Sequence, residues 1–310
     1  MDFYRDELDE SLSKAATTNK TVILTVVNKA YIEGEKPMLD LFLDGFWLGE
    51  DTRGLIDHLL VVAVDKSSYD RCMFLKLHCY KLKTDGVEFE SEQFFMSHDF
   101  IKMMWRRTLF LRDVLNYGYN FIFTDTDVLW LRNPLLKLNS DERSDLQIST
   151  DWFNGDERSE GNLINTGFYM VRSSNKTIAL FDEWYRRKEV SQGLKEQDVL
   201  LFMMREGMFR TLGLNVKFLD TRYFSGFCEL TKDFDAVTTV HSNCCRTINA
   251  KLLDLTTVTN KWREYRSPSR NPTSVIRWTV PRDCVESWQI SSPELSPMPG
   301  PWPTPLSEYD

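Results

Sequence analysis

Residues 121–134 read FIFTDTDVLWLRNP, and the passage from Phe121-Ile122-Phe123-Thr124 into Asp125-Thr126-Asp127 decides how the chain is read. A short apolar run closed by polar residues predicts a buried strand over Asn120–Thr124. Residues two apart on a strand project to one side, and open α/β sheets bind ligands at the carboxyl ends of their strands. Two carboxylates converging there repel each other unless a cation neutralises them, as a hard divalent ion carrying a diphosphate would. The spacing alone carries little, because 26 aspartates in 310 residues produce it about twice by chance. It recurs at Asp233-Phe234-Asp235, in a polar segment, where both side chains are read as solvated. A pair of capping aspartates in a turn is the alternative for Asp125 and Asp127.

Working outward, residues 21–27 (TVILTVV) and 59–64 are fully apolar or β-branched runs, separated by an amphipathic helical stretch over 37–48. Strands without polar alternation imply a parallel sheet covered on both faces. A long helix is expected over 100–115, stopped by Gly118. Further strands are expected over 163–171, 216–220 and 236–240, and helices over 177–187 and 196–206. The domain reading is a polar helix over 1–18, one α/β domain over 19–290 and a tail over 291–310. That tail holds six of the eleven prolines and is expected to be disordered.

Composition narrows the function classes. The formal net charge of -8 excludes a general nucleic-acid binder, which needs a basic surface to displace phosphate counterions. No apolar run approaches the ~20 residues of a spanning helix, and MDFYRDELDESL lacks the basic start and apolar stretch of a secretory signal. Alone, this predicts a soluble, unexported chain. The six cysteines (72, 79, 228, 244, 245 and 284) form no CxxC pair, and either buried thiols or disulfides fit them. Sequons at Asn19 and Asn175 are as many as chance provides.

Two families place an Asp-x-Asp at a strand end. In phosphoaspartate hydrolases it lies near the start of the catalytic domain, whereas more than 100 residues precede it here. In GT-A glycosyltransferases it binds the metal that grips a nucleotide-sugar diphosphate. With KMMWRR (102–107), LINTGF (163–168), KEQDVLLF (195–202), YFSGF (223–227) and HSNCCRTINAK (241–251), the chain resembles plant nucleotide-diphospho-sugar transferases. The resemblance is to glycosyltransferase family seventy-seven, which includes rhamnogalacturonan xylosyltransferases and extensin arabinosyltransferases. It covers about residues 20–285 and implies a GT-A fold with a Rossmann-like, mixed, mainly parallel sheet. It also implies a UDP-sugar donor, Mn²⁺ (or Mg²⁺) and retention of configuration. The acceptor would be a cell-wall polysaccharide or glycoprotein, and the sugar a pentose or galactose.

Carried over residue by residue, Asp125, Asp127 and His241 would hold the metal. Lys251 would hold the leaving diphosphate, and Lys102 and Arg106, spaced i, i+4, would point at the donor. Thr25, Val26, Val27 and Asn28 at the first strand end, with Asp65 at the second, would hold the nucleoside. Asn165, Thr166 and Gly167 would flank the donor sugar, with Glu196, Gln197 and Asp198 as the catalytic block. Two departures stand out: Thr247 where the family commonly has Gly, which would weaken donor binding, and Glu196 where relatives often have Asp. A catalytically silent sugar-nucleotide binder or assembly partner is the rival from another class. Relatives are Golgi proteins held by a signal anchor, so the chain is expected to be either a truncated product or an anchorless form. A Cys72–Cys79 bridge or a glycan on Asn19 would exclude a cytosolic one.

Overall fold

The computed structural model describes residues 6–83, 98–139, 141, 143–191, 193–270 and 276–289. The expected tail over 291–310 lies outside them. In chain order the first elements are α1 (Glu7–Ala15), β1 (Thr21–Val27), α2 (Met38–Leu48), β2 (Leu59–Ala63), α3 (Lys66–Phe74) and β3 (His78–Lys81). Next come α4 (His98–Asn116), β4 (Asn120–Thr124), β5 (Val128–Trp130), α5 (Leu135–Leu138), β6 (Leu146–Trp152), β7 (Leu163–Val171) and α6 (Asn175–Arg186). The chain continues through α7 (Glu196–Arg205), α8 (Met208–Thr211), β8 (Val216–Phe218), β9 (Phe224–Gly226), β10 (Thr239–His241), α9 (Ile248–Arg266) and α10 (Arg282–Glu286).

The central sheet runs β3-β2-β1-β4-β7-β6-β8. All its neighbours pair in parallel except β7, which is antiparallel to both β4 and β6. This is the mixed, mainly parallel sheet that the resemblance implies. The apolar strands lack polar alternation because both faces are covered. Val22, Leu24, Leu60, Val62, Phe121 and Phe123 enter one core, with α4 and α6 residues such as Leu111 and Phe181. Ile23, Leu59, Val61 and Ile122 enter the other, with Phe42 and Phe46 of α2. The N-terminal helix α1 is polar outside but buries Leu8, Leu12 and Ala15 in the first of these cores.

A second sheet, β5-β10-β9, has three-residue strands and its own core with α9, built on Leu129, Val240, Leu255, Val258 and Trp262. Here the sequence expectation is corrected: residues 236–238 are not strand, and β10 begins at Thr239. The Asp233 carboxylate accepts the Ala236 N–H at 3.0 Å and its carbonyl accepts the Val237 N–H at 3.0 Å, closing a turn that delays the strand. The strand expected over 216–220 stops at Phe218, because Asp220 opens a turn by accepting the Arg222 N–H at 2.7 Å. All six cysteines are paired, as Cys72–Cys79, Cys228–Cys244 and Cys245–Cys284.

Candidate active site

The acidic pair converges through a turn rather than through strand alternation. β4 ends at Thr124; the Asp125 N–H donates to the Gly167 carbonyl at 2.7 Å, and the Val128 N–H donates to the Asp125 carbonyl at 3.2 Å. The chain thereby doubles into β5, whose Val128 pairs with His241 of β10, while the Ser242 N–H donates to the Asp127 carbonyl at 3.0 Å. Sheet register therefore delivers the imidazole to the carboxylates across more than 110 residues. One ligand atom from each of Asp125, Asp127 and His241 lies within 4.8 Å of the others.

Lys251, in the first turn of α9, places Nζ 2.7 Å from Asp127 Oδ2, and the Ser242 hydroxyl donates to the same oxygen at 3.0 Å. His241 Nε2 is 3.3 Å from Asp127 Oδ1. Burial works against the Asp127 charge, but Lys251 and His241 outweigh it and hold the carboxyl well below its usual range. Burial pushes the Asp125 carboxyl up to about 6, with Asp127 adding to the rise and Arg107 opposing it. Its side chain keeps 34% of its exposure, so water tempers that effect. Burial opposes the charges on His241 and Lys251, yet Asp127 raises both above their ordinary values.

Two carboxylates and an imidazole form a donor set suited to Mn²⁺ or Mg²⁺, the imidazole ligating in its neutral form. Gly167 supplies the space. A Cβ there would lie 2.3 Å from His241 Cε1, 2.8 Å from Asp125 Oδ2 and 2.9 Å from Asn165 Oδ1, so only glycine lets β7 approach the cluster this closely. The residues present therefore fit a divalent ion.

The other two blocks interlock behind this cluster. Thr166 donates its hydroxyl to Glu196 Oε1 at 2.8 Å and its N–H to Gln197 Oε1 at 3.0 Å. Asn165 Oδ1 accepts the Gly167 N–H at 2.8 Å, and Asn165 Nδ2 donates to Asp151 Oδ1 at 2.8 Å. The Asp198 carboxyl is raised chiefly by burial, opposed by Lys195, with Glu196 and Asp151 adding to the rise.

The residue joining these blocks to the acidic pair is Arg107, which sequence reasoning passed over. Its guanidinium donates to Asp125 Oδ1 at 2.9 Å and to Glu196 Oε1 at 2.6 Å, with side-chain exposures of 4% for the arginine and 2% for the glutamate. The two cations singled out on the same helix, Lys102 and Arg106, have other partners. Lys102 Nζ lies 3.5 Å from Asp99, and Arg106 Nε donates to the Lys83 carbonyl at 2.8 Å. A signal for Arg107 was present: it falls in the stripe Met103, Arg107, Phe110, Leu111, Val114, where one charge interrupts an apolar helix face.

At the other strand ends, Thr25 and Val27 are buried inside β1, which extends through Val27, and Val26 is partly exposed. Asn28 follows the strand and is buried. Asp65 caps α3 by accepting the Ser68 N–H at 2.8 Å, and its second oxygen accepts the Lys29 N–H at 2.7 Å. It thus fastens the loop after β1 to the loop after β2.

The family described as nucleotide-diphospho-sugar transferase matches residues 54–255. Among relatives, the Arabidopsis thaliana protein At1g28695 is 54% identical over 288 residues, covering 91% of this chain and 84% of its own. The beta-arabinofuranosyltransferase RAY1 of the same plant is 28% identical over 232 residues, covering 70% of this chain and 41% of its own. Among solved structures, mouse xyloside xylosyltransferase 1 in its apo form gives a TM-score of 0.46 at 13% identity, covering 74% of this chain and 99% of its own.

Proposed function

The chain belongs to the nucleotide-diphospho-sugar transferase family, and from that premise we propose that it is a retaining, Mn²⁺- or Mg²⁺-dependent glycosyltransferase using a UDP-sugar. The proposed reaction moves a pentose such as arabinose or xylose, or a galactose, to a cell-wall polysaccharide or glycoprotein. The beta-arabinofuranosyltransferase among its relatives supports the pentose. The observation that carries the reading is the meeting of Asp125, Asp127 and His241 within 4.8 Å at the carboxyl end of β4.

When bound there, a divalent ion supplies the counter-charge for the donor's diphosphate. The chain's own groups do the rest. Lys251, already turned toward Asp127, would share in neutralising the charge that develops on the departing phosphate. Arg107 fixes Asp125 relative to Glu196, and Thr166 fixes Gln197, so the 196–198 block sits at a set position beside the acidic pair. Gln197 and Asp198 would then face the oxocarbenium-like centre. Family membership removes the phosphoaspartate hydrolase as an alternative. Three disulfides fit an oxidising lumen such as the Golgi, which we propose as the site of action.

Titration of UDP into the protein with Mn²⁺, and again with chelator, tests the assignment. Asp125→Ala with Asp127→Ala should weaken Mn²⁺-dependent binding by on the order of 100-fold. Unchanged binding in that variant would sink the assignment.

A further inference from the structure

Thr150 of β6 pairs with Ile164 of β7, and Trp152 pairs with Leu163, so Asp151 is an extra residue bulged out of the ladder. The bulge breaks the alternation that would otherwise send Asp151 and Trp152 to opposite faces. Trp152 lies opposite Leu163, and Leu163 stands two residues before Asn165 on β7, so both share the face of Asn165. Asn165 leads directly to the candidate metal site through Gly167.

Three features meet at this rim. Trp152 and Leu163 are large apolar side chains left 46% and 43% exposed. Asp151 Oδ1 is fixed by Asn165 Nδ2 and Asn243 Nδ2, each at 2.8 Å. Its Oδ2 has no hydrogen bond among the described residues. A flat aromatic beside a held carboxylate with one oxygen to spare matches the chemistry of a sugar, which has an apolar C–H face and a rim of hydroxyls.

Resting on the glycosyltransferase reading above, we propose that Trp152, Leu163 and Asp151 form the acceptor subsite. The terminal acceptor sugar stacks on Trp152 beside Leu163, and one of its hydroxyls donates to Asp151 Oδ2. The chemistry also selects the class of acceptor. Asp151 and Asp198 put negative charge on this side of the site, so the subsite takes a neutral terminal sugar and disfavours a uronate.

The test is steady-state transfer from a UDP-sugar with Mn²⁺ to arabino-, xylo- and galacto-oligosaccharides, with oligogalacturonate as the charged contrast. Trp152→Ala should raise the acceptor KM by about tenfold while the donor KM moves less than twofold, and Trp152→Phe should restore most of the loss. Asp151→Asn should narrow the gap between neutral and uronate-ended acceptors. Donor and acceptor KM rising together, or no rescue by Phe, overturns the subsite and makes Trp152 structural. A change in sedimentation with acceptor KM unaltered overturns it in favour of a protein contact. If the unaltered chain releases no UDP from any UDP-sugar with Mn²⁺, the glycosyltransferase reading fails, and the subsite with it.

Discussion

The two halves of the candidate site are held by different physics. Asp125 and Asp127 leave the end of β4, a strand buried on both faces between two helix layers, and they need no covalent help to be there. His241 and Lys251 come from a region of three-residue strands around a smaller core, where Cys228–Cys244 and Cys245–Cys284 bracket the link between β10 and α9. Adjacent cysteines, one bridged to the loop after β9 and the other to α10, pin that link from two sides. Trp288 adds a hydrogen bond to the Cys244 carbonyl at 2.8 Å, and Asn243 bonds both Asp151 and the Cys228 N–H. Burial of the hydrophobic sheet positions one half; cross-links and polar contacts position the other.

If burial alone secured the first half, its interior would hold no charge, yet Arg107 and Glu196 sit there as an ion pair. Removing one partner of a buried pair leaves the other uncompensated, so Arg107→Met should cost about 3–5 kcal/mol in urea melts. The loss is severe because Glu196 Oε2 is already buried without a hydrogen bond, and the substitution strips the arginine from Oε1 as well. Arg107→Lys should recover only part of it, since an ammonium cannot reproduce the fork that spans Asp125 and Glu196. A melt unchanged by Arg107→Met would show that the pair contributes nothing to this half.

The second half is tested by replacing each cystine with two serines. Sequence separations of 39, 16 and 7 residues for Cys245–Cys284, Cys228–Cys244 and Cys72–Cys79 give losses of about 4, 3 and 2 kcal/mol from unfolded-chain entropy. Stability should follow that order, but Mn²⁺ affinity should not. It should fall when either bridge flanking residues 241–251 is removed and hold when Cys72–Cys79 is removed, because that bridge ties α3 to β3 away from the metal ligands. Equal Mn²⁺ affinity in all three variants would break the contrast between the halves.

The same contrast governs what could be read without coordinates. β1, β4 and β7 were legible because a strand covered on both faces leaves an unbroken apolar run in the sequence. β5 and β9 leave only three-residue traces, and the pairing of β5 with β10 joins residues more than 100 apart, which periodicity does not register. Asp125, Asp127 and His241 were legible as motif residues and the resemblance brought them to one metal, but the route of their convergence was not legible. It depends on the turn after Thr124 and on the register of Val128 with His241. Lys102 and Arg106 were chosen by charge spacing on a helix face, whereas burial makes Arg107 the residue that reaches the acidic pair. Asp151 escaped notice because a bulge has no signature in an otherwise ordinary strand.

The smallest expected effect concerns Thr247, the departure from family pattern that would weaken the donor site. In the structure Thr247 is the N-cap of α9, with φ -120 and ψ 147, and its hydroxyl accepts the Ala250 N–H at 3.3 Å. That backbone conformation is open to any residue, so nothing at this position requires glycine. The Lys251 N–H donates to the Thr247 carbonyl at 3.1 Å, so the cap sets where the helix bearing Lys251 begins. Thr247→Gly should therefore cost only a few tenths of a kcal/mol and Thr247→Ala about 1, with UDP affinity within twofold in both. A gain in UDP-sugar turnover of tenfold or more in Thr247→Gly would mean that the threonine obstructs the donor and that the clamped half limits activity. Unchanged turnover would leave Thr247 as what its hydrogen bond makes it, the residue that starts α9 in register with Asp127.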